Sequence, residues 1–103
     1  MKLTRLVHRF YSKTNREAIN KLLNSTYQPD MLEVTDESAA HMEANDSHFR
    51  VFIVSDGFEN KSHLKRHREI MDKLKEEGIM QRIHAVSITA KTIGEYEKLV
   101  NNN

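Results

Sequence analysis

Residues 49–55 read Phe-Arg-Val-Phe-Ile-Val-Ser, a run of β-branched and aromatic side chains long enough for a central strand. Asp56-Gly57 follows as a turn. Upstream, Thr14-x-x-Glu17 has the form of a capping box, in which two side chains satisfy free backbone N–H groups at a helix start. Ala18, Ile19, Leu22 and Leu23 then supply an apolar stripe, and Pro29 marks the exit. Residues 31–35 read as a short strand and the polar stretch 36–48 as a loop. Downstream, Ser62 caps a helix predicted over residues 63–77, with Leu64, His67, Met71 and Leu74 on one stripe and Gly78 as its stop. Residues 83–89 (IHAVSIT) form a third strand. Thr92-x-x-Glu95 is a second capping box, opening a last helix with Tyr96, Leu99 and Val100 before an Asn tail at 101–103. The predicted order α-β-β-α-β-α describes an α+β domain, a three-stranded sheet with helices packed on one face.

The chain has 103 residues, of which 38% are hydrophobic, the size of one domain with one small core. It has no cysteine, which excludes disulfide frameworks, thiolate zinc sites and cysteine nucleophiles. Any metal held by side chains must therefore use histidine nitrogen or carboxylate oxygen. Sixteen Lys and Arg against 15 Asp and Glu leave a net charge of +1, which by itself points to neither nucleic acid nor membrane. No apolar run approaches the ~20 residues that span a bilayer.

That average conceals an asymmetry. Residues 1–16 carry Lys2, Arg5, Arg9, Lys13 and Arg16, and the first acid is Glu17. On helical spacing Leu3, Leu6, Val7 and Phe10 share one face and the bases crowd the other. An acid-free, amphipathic, Arg-containing start is the composition of a mitochondrial transit peptide, and Arg9-Phe10-Tyr11-Ser12 is similar to the pattern at which matrix presequences are cut. The expectation is a targeting segment over residues 1–11, a domain over 12–100 and a matrix location. Loss of Lys2, Arg5 and Arg9 with that segment moves the net charge from +1 to −2.

Three constellations bear on chemistry. The run Lys65-Arg66-His67-Arg68 lies on the long helix, and Lys61, Lys65 and Arg68, spaced i, i+4, i+7, would share a face able to meet phosphates or a protein partner. Glu69, Asp72, Glu76 and Glu77 on the same helix offset that field, so a merely solvated face is the competing reading. The only glycines are Gly57, Gly78 and Gly94, so no Gly-x-x-Gly nucleic-acid grip exists. The second constellation is histidine. His41 and His48 border the polar loop, and His84 starts the third strand, where it would lie near that loop if the strands are neighbours. Two imidazoles held at one sheet end can ligate a metal or cluster, although surface histidines at strand ends are also ordinary. His67 is assigned to the core stripe. The third is catalysis. Ser38, Ser47, Ser55 and Asp56 stand without a nucleophile elbow or phosphate loop, so the chain is not expected to be an enzyme.

Together, Ser47-His48-Phe49-Arg50-Val51, Val54-Ser55-Asp56, Phe58, Lys65-Arg66-His67-Arg68 and Ile83-His84-Ala85-Val86-Ser87-Ile88 resemble the BolA family across roughly residues 15–99. The resemblance implies an α-β-β-α-α-β-α fold related to class II KH domains but lacking the glycine loop, with a short extra helical turn at residues 58–61. Asn60 stands in place of the family's glycine after Phe58, and Tyr96 where many members carry tryptophan. The resemblance further implies pairing with a monothiol glutaredoxin and a shared, bridging [2Fe-2S] cluster. A glutaredoxin cysteine and a glutathione thiol would bind one iron, and this chain the other. His84 matches the family's ligand in the last strand. Glu37-Ser38-Ala39-Ala40-His41 matches its Glu-Ser-x-x-His element, which makes His41 the second ligand. His48 is the reserve, because the loop here is shorter than in typical members and lacks their glycine. The implied task is assembly or delivery of clusters to mitochondrial client proteins, including lipoate-dependent pathways. Lys61, Lys65, Arg66 and Arg68 would belong to the docking surface. The rival implied by the KH-like topology and the bacterial members is a nucleic-acid-binding transcriptional regulator.

The targeting segment has a direct check. N-terminal sequencing of the protein recovered from mitochondria is expected to begin at or close to Ser12, and an intact Met1 in the mature protein would contradict it.

Overall fold

Thr14 opens the first helix as its side chain requires. Its hydroxyl accepts from the Glu17 N–H at 3.0 Å, and the Glu17 carboxylate accepts from the Thr14 N–H at 3.0 Å. The computed structural model describes residues 14–41 and 47–101. The expected targeting segment 1–11 and residues 102–103 of the tail lie outside the described residues, whereas Asn101 closes the last helix. Within them run α1 (Asn15–Tyr27), β1 (Met31–Asp36), β2 (His48–Val54), α2 (His63–Glu76), β3 (Ala85–Lys91) and α3 (Ile93–Asn101), with 3₁₀ turns at Ser38–His41, Asp56–Phe58 and Ile79–Gln81.

The sheet has the order β1-β2-β3. β1 and β2 are antiparallel, with Val34 opposite Val51; β2 and β3 are parallel, with Val51 opposite Ile88. Two parallel neighbours cannot be joined by a tight turn, so α2 forms the crossover between them. Phe49, Val51 and Ile53 alternate onto one face, where they meet Ile19 and Leu23 of α1, Ile70 and Leu74 of α2, and Phe58. This is the expected α+β architecture, with α1 and α2 covering one face. The last helix departs from that single-face arrangement. It follows β3 directly, and Glu95 in its first turn meets Arg66 on the core side. Its Tyr96 packs edge-on against Phe52, at 6.0 Å between centroids, on the other side.

Three local expectations change. The third strand starts at Ala85 rather than Ile83, because Ile83 belongs to the buried core and ladder pairing begins opposite His48. The extra helical turn lies at Asp56–Phe58 rather than 58–61, because Ser55 Oγ accepts from the Gly57 N–H and caps it there. Asn60 follows in left-handed backbone at φ 63°, the conformation for which asparagine substitutes for glycine. On α2 the buried stripe is Arg66, Ile70 and Leu74, while Leu64 is 57% exposed and His67 is exposed.

The cause of that rotation is Arg66, whose residue is only 4% exposed. Its guanidinium donates to the Lys61 carbonyl at 2.9 Å, to the Ala90 carbonyl at 3.0 Å and to both Glu95 oxygens, at 2.7 and 3.2 Å. It also lies 5.9 Å from the Phe58 ring centroid. A buried charge is tolerated only when paired and hydrogen-bonded, and these contacts meet that condition. Arg66, expected on the docking surface, is therefore a clamp joining α2, β3 and α3. Ser38, fully buried, is the matching anchor at the other end of the sheet. Its hydroxyl donates to Asp36 Oδ1 and accepts from the Ser47 and His48 amides at 2.9 and 3.0 Å, drawing the loop closed between β1 and β2.

The Arg66 hydrogen bond, the Thr92 amide and the Arg66 charge outweigh burial and hold the Glu95 carboxyl down to about 2 from its ordinary 4.5. A carboxyl depressed in the folded state stabilises above its unfolded pKa, and that stabilisation is lost as pH falls through the folded value. Glu95→Gln keeps the capping box but not the charge. The stability gap between wild type and Glu95→Gln should therefore be constant above pH 5 and shrink between pH 4.5 and 2, as read by urea denaturation. Arg66→Met should cost roughly 2–3 kcal/mol at pH 7, the low end for breaking a buried pair because Glu95 keeps some water. Ser38→Ala should cost about 1–3 kcal/mol and speed amide hydrogen exchange at Ser47 and His48 selectively.

Candidate functional site

The loop end of the sheet brings two imidazoles together. β2 begins at His48, and the parallel register sets His48 opposite Ala85, the residue after His84. The Ser47 carbonyl accepts from both the His84 and Ala85 amides, at 2.8 and 3.2 Å, so the approach to β3 is tied to the approach to β2. The rings of His48 and His84 stack with centroids 4.8 Å apart and planes 28° from parallel. His48 is 8% exposed and its Nδ1 lies 3.2 Å from Ser47 Oγ, a contact that orients the ring. His84 is exposed. One ring is thus held by the fold and the other faces outward.

His41 closes the 3₁₀ turn Ser38–His41, at the start of the loop whose far end is His48; its side chain lies outside the described residues. The structure therefore brings His48 and His84 into contact and sets the backbone of His41 in the same loop. Among the described residues no group of three or more His, Asp or Glu side chains converges on one point. A metal held by the His48–His84 pair would need its remaining ligands from outside this constellation, and histidine nitrogen is a donor that iron–sulfur centres accept. In kind, these two imidazoles fit part of a ligand set whose remaining donors come from elsewhere.

The basic candidates on α2 and just before it separate. Arg66 is the buried clamp. Lys61 is half-buried and paired with Glu69 at 3.0 Å. The Glu69 carboxyl is pushed up by burial, yet the hydrogen bond and charge of Lys61 hold it below its ordinary value. Its neighbour Tyr27, whose hydroxyl reaches Glu69 at 3.3 Å, has its phenol pushed up by burial and by the Glu69 charge. Lys65 and Arg68 are exposed. The cationic surface is consequently narrower than the run Lys65-Arg66-His67-Arg68 suggests.

Two features escaped the sequence reading. From the sequence Glu95 reads only as a cap; its ion pair with Arg66 spans 29 residues and leaves no local trace. His63 and His67 stand four apart on α2 and both are exposed, beside Ile88, Thr89 and Ala90 of β3. That spacing was the available signal.

Residues 23–95 match the family described as BolA-like protein. The chain is 42% identical over 86 residues to the DNA-binding transcriptional regulator BolA of Escherichia coli, covering 82% of this chain and 81% of that one. It is 37% identical over 83 residues to BolA-like protein 1 of Mus musculus, covering 79% of this chain but only 60% of the mouse protein. Its fold superposes on the BolA domain of SufE1 from Arabidopsis thaliana with a TM-score of 0.70 and 42% identity, covering 78% of this chain and 93% of that one. With the family match, these identities over most of its length and the shared fold, the chain belongs to the BolA-like family.

Proposed function

We propose that this protein is a non-catalytic iron–sulfur assembly and delivery factor. It would pair with a monothiol glutaredoxin, share a bridging [2Fe-2S] cluster with it and serve client proteins in the mitochondrial matrix. The observation that carries the reading is the stacked pair His48–His84 at the loop end of the sheet, one ring buried and oriented, the other exposed. A chain without cysteine offers nitrogen and must obtain thiolates elsewhere; a glutaredoxin cysteine and glutathione are the sulfur donors that the family resemblance implies. Neutral imidazoles leave less negative charge on a cluster than thiolates and so raise its reduction potential. On this chain the assigned roles are ligation by His84 with His41 or His48, ring orientation by Ser47, and loop closure by Ser38. Lys65 and Arg68 offer exposed positive charge to the partner. The acid-free N-terminus supports the matrix location.

A second reading has its own support. The Escherichia coli relative is named a DNA-binding transcriptional regulator, and Lys65 and Arg68 are exposed on α2. Against it stand the loss of Arg66 and Lys61 from the free cationic surface and the absence of a Gly-x-x-Gly loop.

Mixing the protein with cluster-loaded monothiol glutaredoxin should change the visible absorption and circular dichroism of the cluster. His84→Ala should abolish the change, and either His48→Ala or His41→Ala should do the same, identifying the second ligand. An unchanged spectrum with the wild type rejects the cluster reading. Nucleic-acid affinity that falls with salt and is lost in Lys65→Ala/Arg68→Ala would favour the regulator.

A further inference from the structure

His63 and His67 lie one helical turn apart at the start of α2, so their Cβ atoms stand about 5–6 Å from each other on one face. Both side chains are exposed, and both line a cleft of about 220 Å³ between that face and Ile88, Thr89 and Ala90 of β3. Neither belongs to the loop constellation. Ala90 is five residues along β3 from Ala85, which follows His84, so the two histidine pairs are separated by roughly 16 Å of strand.

We infer that His63 and His67 form a second nitrogen site on this protein, one that chelates a late divalent transition-metal ion such as Ni²⁺, Cu²⁺ or Zn²⁺. Imidazole suits these ions, and two imidazoles one turn apart on a helix can close on a single ion without moving the backbone. The helix also fixes their relative placement before binding, because both residues lie within α2 and Ser62 caps its start. The cleft wall is a strand rather than a mobile loop. Electrostatics set the strength. The N-terminal end of α2, Lys65 and Arg68 oppose a cation. The Glu95 carboxylate lies close enough to feel the charge of His63 and favours one. With these effects opposed and two protein donors, the site is weak and exchangeable, with water filling the other positions.

Isothermal titration of the full chain with Ni²⁺ at fixed pH tests this directly, comparing wild type with H63Q, H67Q, the H63Q/H67Q double variant and H84Q. The wild type should take up one equivalent. Each of H63Q and H67Q should weaken that uptake about tenfold or more, since half of the chelate is gone. The double variant should abolish it, and H84Q should leave it unchanged. Because only the folded helix presents both rings together, Ni²⁺ should raise Tm in the wild type and in H84Q but not in the double variant. Both histidines are exposed, so the variants are expected to fold, and matching far-ultraviolet circular dichroism checks it. Uptake that survives in H63Q/H67Q, or that is lost in H84Q instead, overturns the assignment. The glutaredoxin experiment does not depend on these two residues, so H63Q should respond there like wild type.

Discussion

The parallel pairing of β2 with β3 is the constraint on which the rest of this molecule depends. A hairpin would have let the chain return immediately. A parallel neighbour obliges it to travel the length of the sheet and come back, and α2 is the path it takes. The same pairing brings the starts of the two strands to the same end. There the Ser47 carbonyl receives both the His84 and Ala85 amides, and the two imidazoles stack. A one-residue slip would turn Phe49, Val51 and Ile53 out of the core and His48 into it. Burial of those three apolar side chains, worth about 1.5–3 kcal/mol each, excludes that slip and fixes the histidine pair as a consequence.

The second determinant is a buried cation. By composition α2 is a basic helix, and a phosphate-facing surface is the natural reading of Lys65-Arg66-His67-Arg68. In the folded protein the most central of these bases points inward, between the carbonyls of Lys61 and Ala90 and the carboxylate of Glu95. Desolvating a guanidinium costs several kcal/mol, and only a nearly complete set of acceptors offsets it. Arg66 has that set because α3, which follows β3 directly, delivers Glu95. Helix α2 is thus oriented by one of its own charges, which leaves Lys65, Arg68, His63 and His67 outward.

At the opposite end of the sheet a smaller group does the equivalent work. Ser38 is fully buried and its hydroxyl joins Asp36 to the Ser47 and His48 amides, so both borders of the loop are held although they are ten residues apart in sequence. Loops ordinarily stay at the surface because their backbone groups need partners. Here a single hydroxyl supplies partners to two amides and positions the neighbourhood of His48 without a further element.

Local chemistry was sufficient for the elements. Both capping boxes, the Ser62 cap, the Gly78 stop at φ 75° and the central strand are short-range events, set by which side chain can reach which backbone group within a few residues. Family membership was legible for a related reason: the residues that carry it cluster in short motifs. The absence of cysteine likewise determined, from composition alone, that this chain can offer a metal only nitrogen or oxygen. Facing and partnership were not legible. The stripe of α2 looks like Leu64, His67, Met71 and Leu74 when apolar residues alone are counted, yet Arg66 takes the inner position through partners on β3 and α3, up to 29 residues away. Which histidines meet is decided by strand register and by Ser38, neither of which a sequence spacing contains. Spacing encodes what lies within a turn of helix or a tight loop. Burial of charge and the pairing of distant rings depend on free energies that exist only once the sheet has closed.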